Sequence, residues 1–171
     1  MNTFVMADIH GAYQALRQCL DRAGFDCTHD RLIQLRDVAD GFNEVYGCVE
    51  ELLAVDHLVA IRGNHDSWPL EFIDTGYHSD KWSKGGKGTL QSYLKQAGRE
   101  KLILRVGSGC KTGLEPGDLP AAHRDFFRQQ VLYHLDGGSA ALFMPALTGI
   151  YLFEDSGLPP IFWIGICGRW H

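Results

Sequence analysis

A short acidic motif follows each of three apolar runs in the first half of the chain, and this repetition constrains the fold more than any other feature. The runs, at residues 3–6, 32–35 and 58–61, have the length and apolar character of buried strands. Between them, residues 12–23 and 42–54 carry apolar side chains at helical spacing. Strands joined by helices of this length predict right-handed crossovers, a parallel sheet and therefore an α/β fold. The motifs then meet at the carboxyl edge of that sheet, where proteins of this class bind ligands.

The motifs carry oxygen and imidazole ligands for a metal ion. They read Asp8-Ile9-His10-Gly11, Asp37-Val38-Ala39-Asp40-Gly41 and Gly63-Asn64-His65-Asp66. Asp8 and His10 alternate with Ile9, so an extended strand exit would aim both ligands at one cation and return Ile9 to the core. Asp37 has two oxygens with which to bridge two cations, and Asn64 offers a neutral amide oxygen. This donor set predicts a site for hard to borderline cations.

His65 and Asp40 predict proton transfer beside that site. Imidazole titrates near neutral pH, so His65 is a candidate general acid, and the Asp40 carboxylate would orient its ring. Each residue also has a simpler interpretation when taken alone. Asp40 would serve as the N-cap of the next helix, and Asp8 would cap a helix beside a surface histidine.

The second half of the chain has a weaker pattern. Residues 85–88, Gly-Gly-Lys-Gly, precede a helical stretch at 89–96 and allow two interpretations, a phosphate cradle or a flexible start of the helix. The absence of a Walker pattern favours the helix start. Residues 106–120 hold four Gly and two Pro and predict a loop. We expect a helix at 121–130 and a strand at 131–135.

The composition is that of an ordinary globular domain, with 45% apolar and 22% charged residues in a chain of 171. A net charge of −5 and the lack of a Lys/Arg stripe argue against sequence-independent nucleic-acid binding. Five cysteines without a Cys-x-x-Cys pair predict reduced thiols. No signal peptide is apparent, and no apolar run approaches the roughly 20 residues of a membrane span. We therefore expect a cytoplasmic protein without nucleic-acid or membrane partners, and its oligomeric state stays open.

Together the motifs resemble those of the calcineurin-like metallophosphoesterases, in the branch that holds Ser/Thr protein phosphatases and symmetrical diadenosine tetraphosphatases. That family has Gly-Asp-x-His-Gly, Gly-Asp-x-x-Asp and Gly-Asn-His-Asp/Glu, and the resemblance extends over about residues 2–143. It implies a β-sandwich flanked by helices and a site for two divalent ions, Mn, Fe or Zn. The implied chemistry is in-line attack of metal-bound hydroxide on a phosphoester, in a phosphorylated protein or a small phosphate ester.

The resemblance also implies a role for each motif residue. Asp8 and His10 would bind the first metal, Asp37 would bridge both ions, and Asn64 would bind the second. His65, paired with Asp40, would be the catalytic proton donor, and Arg62 before the third motif would face the phosphate. These residues are the predicted site: Asp8, His10, Asp37, Asp40, Arg62, Asn64 and His65.

Three positions depart from the family pattern. Ala7 and Arg36 stand where the family has glycine, and Gly41 stands where the protein phosphatases have arginine. Glycine often marks a close approach of backbone or ligand, so Arg36 would place a cation beside the bridging carboxylate, where it would compete with metal or turn to solvent. Gly41 removes a phosphate contact and weakens the likeness to the protein phosphatases within the family.

The tail departs further, because the family supplies more histidine ligands after a strand that ends in Val-His-Gly/Ala-Gly, which this chain lacks. Suppose that each new codon starts at the third base of a present codon. Met144-Pro145 must then encode Ala. The codons before it permit Val-His, and the codons after it permit Gly-Phe-Asn-Arg-His. The same shift over residues 162–168 permits Leu-Asp-Arg-Asp-Leu-Trp, which resembles a later family segment. We therefore expect residues 1–140 to be the N-terminal part of a metallophosphoesterase domain and 141–171 to be a divergent, frameshifted tail; the alternative is a genuine divergent tail.

The missing histidines bear on function. The fold is expected to be C-terminally incomplete, and the chain to hold at most one metal ion tightly. His78, His123 and His134 are the residues that would complete the second site in another way. The leading prediction is a metal-dependent hydrolase of phosphate monoesters, similar to a Ser/Thr protein phosphatase. The alternatives are a dinucleoside polyphosphate hydrolase and an inactive fragment that binds only metal or phosphate.

Overall fold

A computed structural model of the chain describes residues 1–79, 82, 85–99, 103–106, 109–136, 140–143 and 161–164. Strands and helices alternate through its first half, as the apolar pattern predicts. In chain order the elements are β1 (Thr3–Met6), α1 (Tyr13–Ala23), β2 (Arg31–Leu35), α2 (Val45–Leu53), β3 (His57–Ile61), α3 (Asn64–Thr75), α4 (Lys87–Gln96), β4 (Ile103–Val106), β5 (Gly109–Thr112), a 3-10 turn (Pro116–Asp118), α5 (Ala121–Gln129), β6 (Tyr133–Asp136), β7 (Ala140–Phe143) and β8 (Ile161–Ile164).

A four-stranded sheet organises the molecule, with the strand order β3-β2-β1-β8. All of its pairs are parallel, and Thr3 of β1 lies opposite Arg31 of β2 and Ile161 of β8. The predicted parallel sheet is therefore confirmed. Two antiparallel pairs, β4-β5 and β6-β7, make up the remaining described strands. Of the predicted tail at 141–171, the structure describes 141–143, which end β7, and β8; the rest lies outside the described residues.

Strands β1 and β2 are buried on both faces over most of their length, which explains why they are largely apolar. Val5, Ile33, Leu35 and Ile61 form a compact cluster on one side. The opposite side packs against the helices and holds the larger core. Its buried members include Phe4, Met6, Leu16, Leu32, Val45, Val49, Leu52, Phe72, Leu90, Leu94 and Phe127. Among the described residues, no helix combines the length and apolar character needed to cross a bilayer.

Two local expectations differ from the structure, and one helix was not expected. Helix α2 begins at Val45 and not at residue 42, because the intervening chain forms the loop of the second motif. The stretch 106–120, predicted to be a loop, contains strand β5 and the 3-10 turn. Helix α3 was not indicated by the sequence pattern, since Pro69 lies inside it and proline is unfavourable in a helix interior.

Candidate metal centre

The carboxyl ends of β1 and β2 bring Asp8, His10 and Asp37 together. One ligand atom from each lies within 4.8 Å of the others, and no further group of this kind occurs among the described residues. The two loops are joined directly, since the backbone N–H groups of Ile9 and His10 donate to the Asp37 carbonyl at 3.0 and 2.8 Å. A carboxylate pair with one imidazole is a donor set that suits a divalent transition ion.

Tight left-handed turns, and not an extended strand exit, produce this convergence. The φ angles are 49° at His10, 60° at Arg36, 46° at Asp37 and 68° at Asp40. The expectation that Asp8 and His10 lie on an extended segment is therefore wrong at His10, although Ile9 does enter the core with 1% exposure. Non-glycine residues in this conformation cost roughly 1–3 kcal/mol each and cluster at functional sites, where the surrounding structure holds them.

Hydrogen bonds orient the ligands within the cluster. The His10 Nδ1 donates to the Ala39 carbonyl at 3.1 Å, which puts the imidazole lone pair on Nε2 in the neutral ring. The Asp37 Oδ1 accepts the backbone N–H of His65 at 3.0 Å. Because His10 and Asp37 are each held by a neighbouring backbone group, these two ligands are pre-arranged in the way that metal ligands usually are.

The third motif lies against the Asp37 carboxylate. A Cβ on Gly63 would stand 1.9 Å from the Asp37 Oδ1, so only glycine allows this approach. Asn64 follows as the first residue of α3, exposed, between two residues that both contact Asp37. This places the Asn64 backbone beside the cluster, and its role as a ligand of a second ion stays a prediction.

Arg36 enters the cluster from its own strand end. Its Nη2 lies 3.2 Å from the Asp8 Oδ1, and both side chains are only partly exposed. The guanidinium thus pairs with Asp8, the first predicted ligand. The positive φ at Arg36 also explains the family pattern, because glycine is the residue that adopts this backbone conformation without strain.

His65 and Asp40 form the second part of the site. The His65 Nδ1 donates to the Asp40 Oδ2 at 2.8 Å, and the Asp40 side chain is 1% exposed. This hydrogen bond raises the pKa of His65, the nearby charge of Asp37 adds to the effect, and desolvation opposes it. The arrangement keeps His65 protonated to a higher pH than a solvent-exposed histidine.

Two residues that the sequence reasoning missed hold Asp40. Its Oδ1 accepts the Trp82 indole N–H at 2.9 Å and the Thr89 hydroxyl at 2.8 Å. The Asp40 backbone N–H donates to the same hydroxyl at 2.8 Å. Since α2 begins at Val45 with Glu44 as its N-cap, Asp40 is not the cap of that helix.

Asp66 ties the second and third motifs together, a role that the sequence did not reveal. Its side chain is fully buried, and Oδ1 accepts the N–H groups of Val38 and Ala39, both at 2.9 Å. Oδ2 accepts the Gly63 N–H and the Gln130 amide, both at 3.1 Å. Burial raises the pKa of Asp66 to about 6, and the hydrogen bonds from Ala39, Gly63 and Gln130 oppose that rise.

Arg62 is directed toward the end of α5. Its guanidinium donates to the carbonyl of Gln130 at 3.0 Å and to that of Arg128 at 3.4 Å, and its backbone N–H donates to Val131 at 2.8 Å. These bonds anchor the start of the third motif on the end of α5. A phosphate contact by Arg62 stays a prediction.

The glycine-rich stretch before α4 packs against the site. A Cβ on Gly88 would meet the Phe42 and Gly41 carbonyl oxygens at 2.4 and 2.5 Å, and one on Gly86 would meet the Trp82 Nε1 at 2.1 Å. Close packing therefore requires these glycines, and both interpretations of the stretch, a phosphate cradle and a flexible start of the helix, stay predictions. A cavity of about 340 Å³ opens beside them, lined by His10, Gly41, His65 and Gly85.

The three further histidines lie in other surroundings. His123 is fully buried and bonds Tyr93 at 3.0 Å and Glu50 at 2.6 Å. The rings of His78 and Trp82 are tilted against each other with centroids 5.0 Å apart, and His134 bonds Arg31. None of the three belongs to the cluster of Asp8, His10 and Asp37.

Comparison with known proteins agrees with the fold. The family model for calcineurin-like phosphoesterases matches residues 1–142, and the chain belongs to this family. It is 28% identical over 153 residues to a symmetrical bis(5'-nucleosyl)-tetraphosphatase of Aromatoleum aromaticum, covering 87% of this chain and 46% of the relative. A Pseudomonas fluorescens protein of the same name is 27% identical over 139 residues, covering 81% of this chain and 40% of that protein.

A third relative has a different name. Serine/threonine-protein phosphatase 1 of Salmonella typhimurium is 33% identical over 70 residues, which cover 41% of this chain and 32% of the relative. The matched segments are thus less than half the length of each of these curated relatives. The metallophosphoesterase fold is confirmed by the family match and by the parallel sheet.

Proposed function

We propose that this chain is the N-terminal part of a metal-dependent phosphoesterase domain that hydrolyses phosphate monoesters, in the manner of a Ser/Thr protein phosphatase. One observation carries the proposal: the cluster of Asp8, His10 and Asp37, with ligand atoms within 4.8 Å of one another, stands next to the His65–Asp40 pair. His10 and His65 line the same cavity, with ring centroids 4.9 Å apart. Cation ligands and a proton donor therefore face one space.

Each residue of the site has a distinct role in the proposed reaction. Asp8, His10 and Asp37 would hold a divalent ion, Mn, Fe or Zn, and Asn64 would contribute to a second. A bound ion supplies Lewis acidity toward phosphoryl oxygens and lowers the pKa of water. His65 donates a proton to the departing oxygen, and its raised pKa keeps that proton available near neutral pH. By accepting the hydrogen bond from His65, Asp40 keeps the proton on Nδ1 and fixes the plane of the imidazole ring.

Hydrolysis of dinucleoside polyphosphates is the second candidate. Two relatives named symmetrical tetraphosphatases align over 87% and 81% of this chain, whereas the phosphatase relative aligns over 41%. Gly41 also favours the dinucleoside polyphosphate hydrolase, because it occupies the position where the protein phosphatases have arginine. The Arg36–Asp8 ion pair favours a third candidate, a fragment that binds metal or phosphate without turnover.

Metal binding tests the site directly. We expect Mn²⁺ titration and elemental analysis after dialysis to find at most one tight ion per chain, and Asp37→Asn to weaken its binding most. The exposed His29 provides a control, since His29→Asn should bind Mn²⁺ like the parent chain. Equal Mn²⁺ affinity in the parent chain and Asp37→Asn would overturn the site, and two tight ions would overturn the expected stoichiometry.

Turnover then separates the candidates. Hydrolysis of p-nitrophenyl phosphate, a phosphoserine peptide and diadenosine tetraphosphate is measured with Mn²⁺ in a chain whose reading frame is restored after about residue 140, and in the His65→Asn variant of that chain. Faster hydrolysis of the peptide supports the phosphatase, and faster hydrolysis of the dinucleotide supports the second candidate. Mn²⁺ binding without hydrolysis of any of the three contradicts both enzymes and supports the binding fragment.

A further inference from the structure

The carboxylate of Asp40 has polar partners on both oxygens. Oδ2 accepts from His65 at 2.8 Å, while Oδ1 accepts from the Trp82 indole at 2.9 Å and the Thr89 hydroxyl at 2.8 Å. The Thr89 hydroxyl also accepts the Asp40 backbone N–H at 2.8 Å, which closes a small ring of hydrogen bonds. With 1% exposure, Asp40 has no water to replace a lost donor.

The donors to Asp40 are themselves buried and closely packed. Trp82 is 1% exposed, packs on Phe72, and lies so close to Gly86 that a methyl group there would overlap the indole nitrogen. Thr89 is also 1% exposed and sits in the first turns of α4. Asp40 needs such support because its φ of 68° is unfavourable for an aspartate.

We propose that Trp82 and Thr89 are positioning residues that act through Asp40 to set the ring orientation and tautomer of His65. The inference rests on the proposed phosphoesterase function and assigns it two residues from outside the three motifs. With Oδ1 held by two donors, Oδ2 stays at the His65 Nδ1, and that nitrogen keeps its proton throughout. The Nε2 proton passes to the leaving oxygen as its bond to phosphorus breaks, and the ring ends neutral with Nδ1–H still bonded to Asp40.

The variants remove one donor at a time. Thr89→Val deletes the hydroxyl at nearly constant volume, Thr89→Ser restores it, and Trp82→Phe deletes the indole N–H while keeping an aromatic ring. Ser92→Ala is the matched control, since Ser92 is a buried hydroxyl on the same helix that accepts the Tyr46 backbone N–H at 2.9 Å. It disturbs α4 without touching Asp40.

The first readout needs no turnover. Long-range ¹H–¹⁵N spectra of the folded chain report which nitrogen of neutral His65 carries the proton. We expect the Nδ1–H form in the parent chain, Thr89→Ser and Ser92→Ala, and a mixture of both tautomers in Thr89→Val and Trp82→Phe. Unchanged tautomers in both of these variants would overturn the inference, whatever the activity of the chain.

The second readout compares leaving groups. Phenyl phosphate needs protonation of its leaving oxygen, whereas p-nitrophenolate departs readily without it. Since general acids contribute about 10²–10⁴-fold, we expect Thr89→Val and Trp82→Phe to lose roughly tenfold or more with phenyl phosphate and much less with p-nitrophenyl phosphate. Equal losses on both substrates would overturn the inference. These rates are measured in the chain whose reading frame is restored after about residue 140. Absence of turnover there would contradict the proposed function, and the tautomer spectra of the present chain would then decide the positioning role alone.

Discussion

The guanidinium of Arg36 lies 3.2 Å from the carboxylate of Asp8, inside the cluster that would hold a metal ion. The guanidinium group of arginine is a cation. A cation that binds Asp8 must therefore displace the guanidinium or share the carboxylate with it. Arg36 occupies a position where the family has glycine, and the backbone at Arg36 is left-handed.

Arg36→Gly should increase Mn²⁺ affinity by about tenfold, equivalent to about 1.4 kcal/mol, because Asp8 is released and glycine accepts the positive φ without strain. Calorimetric titration with Mn²⁺ measures the change. Arg128→Ala is the control, since Arg128 pairs with Asp74 at 3.0 Å on the surface and should not affect Mn²⁺ binding. An unchanged dissociation constant in Arg36→Gly would show that the ion pair does not compete with metal.

The sheet was predictable because its signal is local. The observed β1 spans the predicted residues, and β2 and β3 each begin one residue earlier than predicted. Strands buried on both faces are apolar throughout, and the helices between them show a clear periodicity. The helix that contains Pro69 and the short strand at Gly109–Thr112 have no such local signal. The strand forms by antiparallel pairing with Ile103–Val106.

The candidate site was predictable only in part, for a similar reason. Asp8, His10 and Asp37 follow strands and could be placed from their position alone. Trp82 contacts Asp40 across 42 residues of sequence, and Gln130 contacts Asp66 across 64. A lone tryptophan or glutamine carries no spacing that would reveal such a contact. The left-handed turns were also not predicted from the sequence, because Asp and His adopt a positive φ much less often than glycine does.

Asp66→Asn should lower the free energy of unfolding by about 1–3 kcal/mol, the cost of leaving a buried donor without an acceptor. The asparagine oxygen can still accept from Val38 and Ala39, but its NH₂ group would face the Gly63 N–H that Oδ2 now accepts. Urea unfolding at neutral pH measures the loss. Asp125→Asn removes an exposed carboxylate and should leave stability nearly unchanged. A loss in Asp66→Asn no larger than in this control would contradict the anchoring role.

His123 should make the fold less stable in acid. Desolvation lowers its pKa below the ordinary 6.5, and the hydrogen bond to Glu50 offsets this only in part. Because the unfolded chain then binds the proton more readily than the folded chain, the free energy of unfolding falls as pH drops below about 6.5.

The measurement compares urea unfolding of the parent chain and His123→Gln at about pH 7.5 and about pH 5.5, on either side of the ordinary histidine pKa. Relative to the variant, the parent chain should lose stability on acidification, and subtraction removes the contribution of groups common to both. His29→Gln, at an exposed histidine, should follow the parent chain. If acid instead made the parent chain more stable relative to His123→Gln, the predicted direction of the pH dependence would be wrong.

The coding sequence near codons 138–144 should contain one base too many or too few. The family match ends at residue 142, next to the boundary near 140 that the codon pattern indicates. Sequencing the gene tests this directly. Stop codons in the third-base frame, or a frame that does not encode Val-His-Ala-Gly, would contradict the frameshift and leave a genuine divergent tail.

The frame-corrected chain should hydrolyse p-nitrophenyl phosphate with Mn²⁺, whereas the present chain should show little or no turnover. Two ions stabilise both the attacking and the leaving oxygen in sites of this kind, and the present chain supplies mainly oxygen ligands, Asp37 and Asn64, for the second ion. Arg36→Gly in the frame-corrected chain should increase the rate further, because Asp8 is then released from its ion pair. Asp37→Asn in the same background is the matched control and should abolish the metal-dependent rate. Robust Mn²⁺-dependent turnover by the present chain would refute the prediction and would mean that other residues complete the second site.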